Sequence, residues 1–153
     1  MPNYKDSITN LACSIRKYFE LDIKHNTIKE IDDLLNTGKY RNVVVILYDG
    51  LGFNIMNRCL EKDDFLVRNC LRDYSSIIPC TTTASTTSML TGLNPCEHGW
   101  LGWDIYIKPE NKIVTMFTNK IKDTTKDAGD YNVSRKYFCF KSITDEINEI
   151  SWC

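Results

Sequence analysis

No apolar run in this sequence approaches the ~18 residues of a membrane span, so no transmembrane helix is expected. The opening residues, Met1 to Asn10, are polar and lack the apolar stretch of a signal peptide. No C-x-x-C pair occurs among the seven cysteines, which argues against a zinc knuckle. Their odd number and scatter argue against a secreted disulfide framework as well, and point to reduced thiols in a soluble cytoplasmic protein. An excess of one charge is also lacking. The 19 Lys and Arg against 20 Asp and Glu, net −1, leave no footprint for nucleic acid and no basic stretch for an acidic membrane surface. Neither a nucleic acid polymer nor a membrane is therefore an expected partner. Internal repeats, linkers and low-complexity tracts are absent, apart from one threonine cluster.

What is present is the material of one domain. At 153 residues, 42% hydrophobic and 25% charged, the chain can bury a core of its own. Ile8, Leu11, Ile15 and Phe19 recur at helical spacing and predict a first amphipathic helix. A second is expected from Asn26 or Thr27, where Thr27 and Glu30 have capping-box spacing, to Gly38, with Ile28, Ile31 and Leu35 as its buried stripe. Val43-Val44-Val45-Ile46-Leu47 is a continuous β-branched run, too short for a helix and apolar on both faces. That is the pattern of a central strand in a parallel sheet covered on each side by helices. Helical character follows from Ile55 to about Cys70. Short strands are expected at Ser76-Ile77-Ile78 and at Ile113-Val114-Thr115-Met116-Phe117. Lys122 to Asp130 reads as a surface loop, and Ile143, Ile147 and Ile150 predict a last helix. Strands alternating with helices imply an α/β fold with a mostly parallel sheet flanked by helices.

Two segments carry candidate chemistry. Asp49 stands just beyond the end of the expected central strand, where open α/β sheets place their ligands, and is a natural metal ligand. Asp-Gly is equally a common turn pair, needed for backbone geometry alone. Pro79 to Gly99 is the more unusual stretch. A threonine cluster opening a helix directly after a strand collects hydroxyls and free backbone N–H groups at one point. A helix start favours an anion, so a phosphate held there would face a hydroxyl nucleophile. Caps and turns also use threonine and serine, and composition alone does not separate the two readings.

The ordered set of strand-Asp49-Gly50, Pro79-x-x-Thr82, Thr91-Gly92-Leu93-Asn94-Pro95 and His98-Gly99 resembles the type I phosphodiesterase/nucleotide pyrophosphatase family of the alkaline phosphatase superfamily. The likeness covers about residues 41 to 107. It implies the N-terminal part of an alkaline phosphatase-like catalytic domain, with Thr82 as nucleophile, Asp49 and Thr82 on a metal ion, and the Thr83 backbone N–H on a phosphate oxygen. It implies two divalent ions, by preference Zn²⁺, and a small-molecule phosphate ester as substrate. His98 belongs by the same likeness to a structural loop. Ser85 stands where many nucleotide pyrophosphatases carry a phosphate-binding Asn, which departs from nucleotide specificity. Cys80 invites comparison with sulfatases but lacks their following x-Pro-Ser-Arg, and reads as a packing residue.

Other residues read more plainly. His25 is expected as a solvated surface residue. Trp100, Trp103 and Tyr106 would stack on a flat substrate group or simply pack, and Asp104 is a possible polar contact. No histidine follows His98, although the family site needs further Asp and His ligands. With the end at Ser151-Trp152-Cys153 directly after an apolar helix, the chain reads as the nucleophile half of a longer site. The competing expectations are a phosphomonoesterase or phosphomutase of the same superfamily, a non-catalytic phosphate- or nucleotide-binding module, and a structural fragment without a ligand.

Overall fold

The computed structural model describes residues 3–151. Helix α1, Ile8–Tyr18, begins where Ser7 and Asn10 satisfy each other's free groups in a capping box, the Ser7 backbone N–H donating to Asn10 Oδ1 at 2.8 Å. Its apolar face, Ile8, Ala12 and Ile15, is buried against α2 (Lys29–Asn36) and α5 (Thr82–Thr91). Leu21, Ile77, Ala84, Met89 and Ile143 complete that core, the last brought in by α8 (Ile143–Ser151). Arg16 locks the helices together. Its side chain, 6% exposed, donates to Thr91 O at 3.1 Å and to both carboxylate oxygens of Glu146 at 2.8 Å. Two short helices, α3 (Phe53–Cys59) and α4 (Phe65–Arg68), follow the Asp49-Gly50 turn, and α6 (Pro95–His98) follows α5.

A second core lies under an antiparallel meander, β1 (Asp104–Ile107), β2 (Lys112–Thr115) and β3 (Lys120–Ile121), in the order β1-β2-β3. Register is set by Ile105 opposite Val114 and by Val114 opposite Ile121. Ile107, Val114 and Met116 pack there with Ala128 and with Val133 of α7 (Val133–Tyr137). Glu110 ties the region together. It accepts from the hydroxyls of Tyr131 and Tyr137 and from the Lys136 ammonium, and those bonds hold its carboxyl down to about 2.

The expected mostly parallel sheet flanked by helices, the alkaline phosphatase-like core, is not what forms. The sheet found is the small antiparallel meander. Among the described residues Val43 to Leu47 pairs with no strand, and Ser76 to Ile78 is not a strand either. Its neighbour Ser75 makes only an isolated parallel bridge to Ser7. Of the expected strands, 113–117 alone is realised, and only to Thr115, as β2, and its partners are local. Connections as short as 108–111 and 116–119 bring antiparallel neighbours together, whereas parallel pairing needs a crossover of a dozen residues or more. The expected loop 122–130 includes a bridge from Asp127 to Lys120. Thr27 does not cap α2 either. Its hydroxyl donates to Asp32, and Ile28 holds the cap position. Among the described residues no helix is long and apolar enough to cross a membrane.

Candidate functional site

Pro79 and the extended backbone of Thr81 set the entry to α5. Thr81 is the N-cap, its Oγ1 accepting the Ala84 N–H at 3.2 Å and donating to Leu101 O at 3.2 Å. Further along, the hydroxyls of Thr87 and Thr91 donate back to the carbonyls of Thr83 and Thr87, so part of the cluster is occupied within the helix. Gly92, at φ 74°, ends it in the left-handed conformation that favours glycine.

Thr82 bonds outside the helix. It is the first helical residue, exposed, and its Oγ1 lies 3.4 Å from Asp49 Oδ2, a long hydrogen bond across the fold. Asp49 is held out by the turn at Gly50, which has φ 72°. The two residues line one cavity of about 620 Å³ between the 47–56 segment and the start of α5, together with Cys80, Ser85 and Arg72. The Arg72 guanidinium is already engaged by Asp6 and, at 3.1 Å, by Glu30. Thr83 sits differently. It is buried, its hydroxyl has no partner, and it is not among the residues lining the cavity. The backbone N–H groups of Thr82 and Thr83 have no acceptor among the described residues, as the first amides of a helix normally lack one inside it.

His98 is buried away from the cavity. Its Nδ1 accepts the Trp100 backbone N–H at 3.0 Å, and its Nε2 lies 3.1 Å from Ser88 Oγ. Burial pushes the imidazole down to about 4, so it is neutral at pH 7. His25 is not simply solvated. Its Nε2 lies 2.7 Å from Glu97 and 3.2 Å from the Asn94 amide, joining the segment after α1 to the start of α6. Spacing offers no signal for that contact. The aromatics after Gly99 pack on each other, Phe117 meeting both Trp100 and Trp103 edge-on, while Tyr106 bonds to Asn111. Asp104 accepts from Thr115 at 2.7 Å within the meander.

For a metal, Asp49 and Thr82 offer a carboxylate and a hydroxyl, two of the four donors of a tetrahedral zinc shell. Among the described residues no three His, Cys, Asp or Glu side chains converge to hold an ion. The donors present fit part of one cation's shell. No family model, curated protein or solved structure matches the chain.

Proposed function

We propose that this chain supplies the nucleophile side of a phosphate-ester hydrolase site, with Thr82 as nucleophile, Asp49 beside it and a small phosphodiester or nucleotide pyrophosphate as substrate class. The observation that carries the reading is the Thr82–Asp49 contact of 3.4 Å at a helix start that opens on a cavity. The motif order from Asp49-Gly50 to His98-Gly99, which resembles the type I phosphodiesterases, supports it independently of the fold. So do the unpaired amides of Thr82 and Thr83, since phosphate oxygens are the natural acceptors for free N–H groups at a helix N-terminus. Thr83 serves through its backbone.

In the proposed step Thr82 Oγ1 bonds to phosphorus while the ester P–O bond on the far side breaks. The hydroxyl proton departs along the hydrogen bond to Asp49, and the leaving oxygen takes a proton from water. A water oxygen then bonds to phosphorus as the bond from phosphorus to Thr82 Oγ1 breaks, and Asp49 returns its proton to Thr82 Oγ1. A divalent cation, by preference zinc, held by Asp49 and Thr82 would lower the pKa of the hydroxyl. The donors for a second ion and for the rest of the first shell lie outside this set. The cytoplasm is the proposed location, supported by the free thiols of Cys13, Cys59, Cys70, Cys80, Cys96 and Cys139.

The test is intact-protein mass spectrometry after incubation with a chromogenic phosphodiester and zinc, alongside metal analysis. The expected result is a phosphoryl-ester adduct on Thr82, little steady turnover, no more than one weakly held ion, and no adduct in Thr82→Ala. An adduct that persists in Thr82→Ala overturns the nucleophile. Two tightly held ions with sustained turnover overturn the half-site. Phosphate binding without any adduct, unaffected by chelator, replaces the enzyme by a binding module.

A further inference from the structure

Residues 41 to 48 make no hydrogen bond, by backbone or side chain, to any described residue. Both ends of the stretch are anchored, Tyr40 to the Tyr18 hydroxyl and Asp49 to Thr82. Between them the side chains of 43 to 47 alternate in what they line, although Val45 and Leu47 are themselves 47% and 43% exposed. Val43, Val45 and Leu47 line an apolar cavity of about 360 Å³ against Ile15 of α1, Met89 of α5 and Ile147 of α8. Val44 and Ile46 line neither cavity and are 81% and 68% exposed. A strand with bare edges is a template for another strand, and its open donors and acceptors are matched only by extended backbone.

We propose that the occupant is a second copy of the same segment, paired antiparallel about a two-fold axis through Val45. In that register Val43 faces Leu47, Val44 faces Ile46, and Arg41 of one copy faces Asp49 of the other at both ends. Moving the axis to Val44 sets Arg41 against Leu47 and Asn42 against Ile46. Moving it to Ile46 sets Val43 against Asp49. Only the axis at Val45 keeps the apolar run matched to itself and pairs the opposite charges. Arg41 is exposed and has no ion-pair partner among the described residues. Arg41 precedes the extended run and Asp49 follows it, with the Asp49 carboxylate meeting α5 at Thr82. The second copy therefore delivers a guanidinium to Asp49, beside Thr82. The pairing itself does not depend on any chemistry of Thr82.

Sedimentation equilibrium of the full chain through the micromolar range tests this. The expected result is a reversible monomer–dimer equilibrium that weakens as salt rises. Arg41→Asp and Asp49→Arg should each weaken the dimer about tenfold, because both ends become like-charged, and the double exchange should restore it. Circular dichroism of each variant separates loss of association from loss of fold. A chain that stays monomeric throughout overturns the proposal. So do open-ended aggregates in place of a dimer, single variants that associate like the parent, or a double exchange that fails to restore pairing.

Discussion

His98 accepts the Trp100 backbone N–H at its Nδ1, 3.0 Å away, and this fixes the ring as the neutral tautomer with the proton on Nε2, toward Ser88. The loop after α6 is thereby tied to the middle of α5. Protonating Nδ1 would set N–H against N–H inside the protein.

Acid should loosen this tie. His98 is lowered from its ordinary 6.5 to about 4 by burial, so the unfolded chain takes up this proton before the folded one. The neutral ring's contribution is complete above about pH 6.5 and is lost progressively as pH falls toward 4. Below that it is gone, at a cost on the order of 3 kcal/mol. Urea midpoints measured through this window should fall for the parent protein and much less for His98→Gln. Equal slopes for the two would assign the loss to other groups.

Gly92→Ala should destabilise by about 2 kcal/mol or more. The residue has φ 74°, and an added Cβ would stand 2.7 Å from Arg16 Cδ. Thermal unfolding would measure the loss, and an unchanged midpoint would contradict the close approach.

Glu146→Ala should cost about 2 kcal/mol, since it leaves the buried Arg16 guanidinium without its carboxylate while the Thr91 and Asp22 carbonyls still accept from it. Combined with Gly92→Ala the effects should be non-additive, because both act on the Arg16 side chain. Strict additivity in a denaturant cycle would separate the two sites.

Thr81 and Thr82 should divide stability from chemistry. Thr81→Ala removes the N-cap acceptor and should cost about 1 kcal/mol. Thr82→Ala, at an exposed position, should leave the unfolding midpoint within about 0.5 kcal/mol of the parent. If Thr82→Ala were the more destabilising, its hydroxyl would be a structural group.

Local periodicity and stop signals made α1, α5 and α8 legible in the sequence. The apolar spacing of Ile8, Leu11, Ile15 and Phe19 and the glycine at 92 act within a few residues, where chain connectivity already brings the partners together. The family resemblance singled out Thr82, three residues after Pro79, and Asp49, after the β-branched run, and these two lie 3.4 Å apart. Sequence pattern could not say whether Val43 to Leu47 finds strands to pair with. A β-branched run states that a strand is possible, but its hydrogen bonds belong to other segments, and none of the described residues supplies them. Tertiary structure alone decided the antiparallel direction of β1 to β3, the contact of His25 with Glu97, and the placing of Thr83 outside the cavity while Thr82 lines it. Each of these depends on groups distant in sequence meeting in space, a free-energy choice among whole-chain arrangements that no local pattern encodes.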